Sequence, residues 1–303
     1  MPDSPAITPE DLDKYCPVRK LSSKVYVNIN YSTCTTGCIV TREGAVLIDT
    51  PLIPQQAKHW RSQIEEFSKN IPISYILLTD HHRGHALGCQ YFMPALVIGH
   101  ERAHKEMQGF SENFKERVRN SFRKMPEIQA EMEEITVHPP QITFTQRAGF
   151  FIGGTSIECI FVGGHTPATS IIWLEKERIC FVGDTIWTDQ HPYMAQANSE
   201  EWLEALKLIR SLDPEVIVPG HGEPLQGLER IRLMEDYIQS LRQQVAECLA
   251  AGKDKNETKK ELVKDLMDRF TVPNARRSKI ESQIGSGINR VYRELQRAAQ
   301  VQA

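Results

Sequence analysis

Four stretches of this chain set histidine or aspartate directly behind a short apolar run. Thr79-Asp80-His81-His82-Arg83-Gly84-His85 follows the run 73–78, and Gly163-Gly164-His165-Thr166-Pro167 follows 160–162. Gly183-Asp184-Thr185 closes the run 178–182, and Pro219-Gly220-His221-Gly222 closes 216–218. Imidazole and carboxylate are ligands for zinc, iron or manganese. Asp80 and His82 are two residues apart, so an extended or turning backbone points both to one side. His85 then reaches in from the first turn of the next helix. The three later motifs each read alone as an ordinary turn or helix cap, whereas the first, with four potential ligands in six residues, already favours a site over a solvated polar loop. Ten histidines scattered at random would rarely fall so often at the ends of apolar runs. Asp80, His82, His85, His165, Asp184 and His221 are therefore the candidate metal ligands.

Elements must hold these residues. Short strands are predicted at 24–30, 37–41 and 44–49, with a hairpin turn at Arg42-Glu43-Gly44. Residues 54–69 carry Ala57, Trp60, Ile64 and Phe67 at helical spacing. Strands follow at 73–78 and 95–99, then a charged, mostly helical stretch over 101–135. Further strands are predicted at 142–146, 150–152, 156–162, 170–174, 178–182 and 216–218, with a helix at 199–211. Beyond Pro224 the composition turns amphipathic and helical over 226–251, 256–270 and 277–299, which puts a boundary near 225.

The organisation contains an echo. GAVLIDT (44–50), a helix and YILLTDHHRGH (75–85) are answered by RICFVGDT (178–185), a helix and VIVPGH (216–221). Each half is a strand ending in Asp-Thr, a helix, and a strand ending in histidine. Sites in parallel α/β sheets are built at the carboxyl ends of strands, so two such units facing each other bring Asp184, His221 and the 80–85 cluster to one edge.

The order of these motifs resembles the metallo-β-lactamase superfamily from about residue 24 to 225. The segment GDT…HPY…EEWLEAL…VIVPGHGEP (183–224) looks closest to its glyoxalase II-like, small-molecule hydrolases. The resemblance implies an α/β, four-layer αββα sandwich over 1–225 with a helical insert at about 101–135, followed by a C-terminal helical subdomain over 226–303. It maps His82 and His165 onto the first metal, His85 and His221 onto the second, and Asp184 onto the bridge between them. Asp80 stands where the family has its first histidine and is read as an anionic ligand in its place. Gly84 stands where the family has the aspartate of the second metal, and His81 and Arg83 beside it point the other way. Two ions, zinc first and iron or manganese as alternatives, are the expected cofactors, with the second held more loosely. The implied reaction is hydrolysis of a small-molecule ester, thioester, lactone or lactam by a metal-bound water, with no separate catalytic side chain. His191 and Tyr193 in the loop after Asp184 are candidates for the substrate pocket. His100 and His104 are read as surface or structural residues.

The bulk properties fit this reading. The chain has 303 residues, 40% hydrophobic and 25% charged, which suits a soluble globular protein of one large domain with an appendage, or of two domains. Its net charge of −3 gives no reason to expect nucleic acid or an anionic membrane as partner. The start carries no apolar core of a signal peptide, and no run of apolar residues is long enough to span a bilayer. Seven cysteines, odd in number and scattered, suit reduced thiols in a cytoplasm. Cys34 and Cys38 are read as small buried residues rather than as a metal or redox pair. A small-molecule substrate and a possible homodimer are the expected partners. The competing classes are a fold member with a degenerate metal site that only binds, and an iron-dependent redox enzyme.

Overall fold

The computed structural model describes residues 9–132, 134–187 and 190–302. Residues 1–8, part of the start read as lacking a signal peptide, lie outside the described residues. The first sheet runs in sequence order: β1 (Arg19–Lys20), β2 (Val25–Asn28), β3 (Thr36–Val40), β4 (Ala45–Ile48), β5 (Ile73–Leu77), β6 (Leu96–His100) and β7 (Ile142–Phe144). The second runs in reverse order from one edge to the other. Its strands are β8 (Arg147–Ile152), β9 (Thr155–Phe161), β10 (Ser170–Leu174), β11 (Ile179–Trp187), β12 (Val216–His221) and β13 (Leu225–Gln226).

Three apolar clusters define the layers. Val25, Ile39, Ile48 and Leu77 of the first sheet meet Cys159, Ile172, Phe181 and Val218 of the second in a dry seam between the sheets. The outer face of the first sheet is covered by α1 (Pro9–Tyr15) and α2 (Pro54–Ser68), through Leu12, Trp60 and Ile64. The outer face of the second is covered by α7 (Ser199–Ser211), α8 (Glu229–Ala250), α9 (Lys255–Met267) and α10 (Arg277–Gln302). This is the expected four-layer αββα arrangement. The strands β4, β10 and β11 are buried over most of their length, and β5 at its end toward the site, because both faces of each sheet are packed.

The echo in the sequence is structural. β4 pairs parallel with β5 across the α2 crossover, and β11 pairs parallel with β12 across α7. The register of β11 shifts between Phe181 and Gly183 and again before Trp187, so this strand runs further than the predicted 178–182. The charged stretch 101–135 resolves into three short helices, Glu101–Gln108, Glu112–Asn120 and Pro126–Glu131. Val118, Phe122 and Met132 from this region pack on Leu52, Ile53 and Leu87, which follow β4 and the ligand motif. His100 and His104 serve structure, as expected: they pair with the backbone carbonyls of Thr145 and Pro140 at 2.9 and 2.8 Å.

Candidate metal centre

Most candidate ligands lie at or beyond the end of a strand, and one lies within a strand. Asp80 and His82 follow β5, and His85 lies in a single helical turn, Arg83–Ala86. His165 follows β9, Asp184 lies within β11, and His221 ends β12. Ligand atoms of Asp80, His82, His165 and Asp184 lie within 4.8 Å of one another, and those of His85, Asp184 and His221 form a second such group. Asp184 is common to both. It faces His165 Nε2 with Oδ2 at 3.4 Å, and His85 Nε2 and His221 Nε2 with Oδ1, each at 3.4 Å. Two half-sites therefore share one carboxylate.

The donors fit metal ions. Asp80 Oδ2, His85 Nε2 and Asp184 Oδ1 are buried and have no hydrogen-bond partner, although buried polar atoms are almost always paired. Atoms of this kind converging in one place have the makings of a coordination shell. The first group offers two imidazoles and two carboxylates, a donor set open to zinc, iron or manganese. The second offers two imidazoles and the shared carboxylate.

Partners behind the ligands fix which atom faces inward. His82 Nε2 pairs with Gln196 Oε1 at 2.9 Å, which leaves Nδ1 turned to His165 Nε2 at 3.1 Å. His85 Nδ1 pairs with Asp49 Oδ2 at 2.8 Å, which leaves Nε2 for an ion. Asp49 is itself held by Thr79, whose backbone N–H donates at 2.8 Å and whose hydroxyl donates at 2.6 Å. Asp49 and Gln196 were not among the predicted site residues. For Asp49 a signal existed: in the echo, Ile48-Asp49-Thr50 answers Gly183-Asp184-Thr185. The ring of His85 is thus clasped between the two equivalent aspartates.

Charge and burial shape the site. Burial works to raise Asp80 and Asp184, but the imidazoles around them outweigh it and hold both carboxyls below the usual range. Burial pushes His165 down to about 4, so its ring is neutral and ready to donate a lone pair. Asp80, His85, His165 and Asp184 form the buried floor, while His82 and His221 remain partly open to solvent.

Two glycines are needed by close approach. A Cβ on Gly220 would lie 2.1 Å from Asp184 Oδ1, so only glycine lets β12 pass the shared carboxylate. A Cβ on Gly84 would lie 2.6 Å from the carbonyl oxygen of Thr33. The space where a side chain at 84 would begin is filled by backbone of the β2–β3 loop.

The two pocket candidates separate. Tyr193 is partly exposed, and its ring lies 5.9 Å from that of His82 and 6.4 Å from that of His165. His191 faces the other way. It is buried against Tyr237 and Phe270 of the helical layer, and its carbonyl accepts from Gln283 of α10. Strict alternation would send residues 191 and 193 to one side. This irregular loop does not keep it, and the apolar helical layer claims the imidazole. Trp187, not among the predicted residues, stacks on His221 at 4.7 Å and opens a small cleft lined by Pro192, Arg230, Leu233, Met234, Tyr237 and Phe270. Arg83 bonds Ser121 Oγ of the inserted helices, and His81 is buried, so neither joins the ligand groups.

Known proteins share this architecture. A metallo-beta-lactamase family protein of Thermus thermophilus superposes with a TM-score of 0.66 over 93% of this chain and 95% of its own, at 18% identity. A metallo-beta-lactamase of Pontibacter korlensis gives 0.59 over 74% and 99%, at 23% identity. In sequence, an atrochrysone carboxyl ACP thioesterase of Aspergillus fumigatus is 26% identical over 37% of this chain and 36% of its own length. The lactamase-like protein nscB of the same organism is 25% identical over 67% and 51%. The chain thus spans about a third to a half of the length of these curated relatives. The family model of the metallo-beta-lactamase superfamily matches residues 32–221, from the loop that backs Gly84 to the last histidine of the centre, and the chain belongs to that superfamily.

Proposed function

We propose that this protein is a metal-dependent hydrolase of a small-molecule ester or thioester, with lactones and lactams as further substrates of the same type. The observation that carries the reading is the pair of ligand groups sharing Asp184. Two ions bound there, zinc foremost, would supply a Lewis acid and an activated water. The chain's own residues do the rest. Asp184 sets the spacing of the two half-sites, and Asp49 and Gln196 lock His85 and His82 in the productive orientation. His82, His221, Tyr193 and Trp187 form the partly open side from which a carbonyl substrate approaches. A thioesterase among the relatives supports the acyl-transfer class.

The test joins elemental analysis to a substrate panel. Protein purified without added metal should carry bound ions and hydrolyse at least one of a set of chromogenic esters, thioesters, lactones and lactams. His165→Ala should bring the rate to background. Activity that survives this change, or protein that takes up no metal, would sink the reading.

A further inference from the structure

The edges of the two sheets are not alike. β1 and β13 are two residues long and β7 is three. β8 runs for six residues, Arg147–Ile152, with no proline and a single charge, that of Arg147. Edge strands are ordinarily kept short, charged or broken, because their unpaired backbone groups are a template for another chain. β8 has none of these safeguards apart from Arg147.

Its pairing shows what faces outward. The N–H of Phe161 donates to the carbonyl of Gln146 at 2.8 Å, and the register continues from Arg147↔Ile160 to Ile152↔Thr155. Hydrogen-bonded positions alternate along an antiparallel pair. Ala148, Phe150 and Ile152 therefore turn their backbone groups to β9, and Arg147, Gly149 and Phe151 turn theirs to the open side. These three residues are exposed, Phe151 by 84%, more than any other large hydrophobic among the described residues. Ala148, Phe150 and Ile152 are half-buried against the seam between the sheets. Nothing within the chain calls for a glycine at 149. Its φ is not positive, and a Cβ there would meet only the ring of Phe151, at 3.8 Å. A glycine inside a strand weakens it and often marks a place where another backbone comes close.

We propose that β8 is the interface of a two-fold dimer, pairing antiparallel with β8 of a second copy about Gly149. The occupant is a second copy because the strand is complementary to itself. About that axis Gly149 faces Gly149, Ala148 faces Phe150 and Arg147 faces Phe151. Small meets large on the inner side, and a guanidinium meets an aromatic ring on the outer side. Each of the outward-facing pairs exchanges two backbone hydrogen bonds, so the second sheet runs on from one copy into the other. The half-buried row of Ala148 and Phe150 continues across the axis and extends the apolar seam. This interface is independent of the metal centre.

The test is the mass of the full chain by sedimentation velocity over a range of concentrations, joined to hydrogen exchange of the 147–152 segment. The expected result is a dimer in which this segment exchanges slowly, and faster on dilution. Gly149→Asp has open space in the single chain but sets two carboxylates face to face at the axis. It should raise the dissociation constant at least about tenfold. Phe151→Lys should do the same. Near-ultraviolet circular dichroism checks that both variants are folded, and if Gly149→Asp is not, Phe151→Lys decides, since its side chain is almost free of contacts. A chain that stays monomeric at every concentration would overturn the proposal. So would a dimer that survives both changes, or one whose 147–152 amides exchange freely.

Discussion

At the residue scale, the second ligand group has only the shared carboxylate of Asp184, whereas the first has two, Asp80 and Asp184. Asp80→Asn should weaken this site while keeping its shape, and a competition titration with a chelating dye should show the first equivalent bound less tightly. Unchanged affinity would mean that Asp80 only caps the backbone N–H of His82, which it reaches at 2.7 Å. Asp49 acts one step further out. Asp49→Asn leaves His85 without its anionic partner and should lower affinity for the second ion by about 10–100-fold. The same titration checks it, and an effect on the first equivalent alone would refute the assignment.

At the element scale, two contacts decide how the site is framed. The β2–β3 loop presses its Thr33 carbonyl against Gly84. Gly84→Ala forces a Cβ into backbone that has no room to yield, and should cost about 1–3 kcal/mol of stability. Chemical denaturation of the metal-free variant measures this, and a variant as stable as the parent would show that the loop gives way easily. The second contact joins the loop after β11 to the helical layer. Burial pushes His191 from its ordinary 6.5 down to about 4, and the neighbouring cation Arg269 pushes the same way. The folded form thus binds fewer protons than the unfolded form between these values, so stability rises with pH across that window. The stability it contributes is complete above pH 6.5 and is lost progressively as pH falls toward 4. Thermal melts across this range should show a steeper acid loss for the parent than for His191→Asn. Parallel curves would count against this account.

At the scale of the whole molecule, the ligands are divided between the two sheets. Asp80, His82 and His85 come from the first, and His165, Asp184 and His221 from the second. Ions bound across the seam would therefore tie the two halves together and favour the folded state. At a free ion concentration near a hundred times the dissociation constant, this is worth about 2.7 kcal/mol per ion. Chelation should lower the melting temperature, and restoring zinc should raise it again. A melting temperature indifferent to chelator would contradict a centre that spans both sheets.

The sequence by itself determined most of the strands, though not the two-residue edge strands β1 and β13, together with the crossover helices and the six ligand candidates, because apolar runs and the turn residues that end them are local signals. It also held the echo that makes the two βαβ units equivalent. It did not tell which side of a loop each residue faces. His191 and Tyr193 are two apart in one loop, yet one packs into the helical layer and the other stands by the ligands. Gln196, Asp49 and Trp187 gained their places only when separate segments met. The sharpest case is Cys34. In the sequence it pairs naturally with Cys38 as a small buried residue. Tertiary structure separates the two: Cys38 lies in an apolar core, while Cys34 is buried outside it, in a loop whose flanking residues Thr33 and Thr35 meet Gly84 and Gly220. Periodicity reports which residues avoid water, but which buried groups meet each other depends on contacts far apart in the chain.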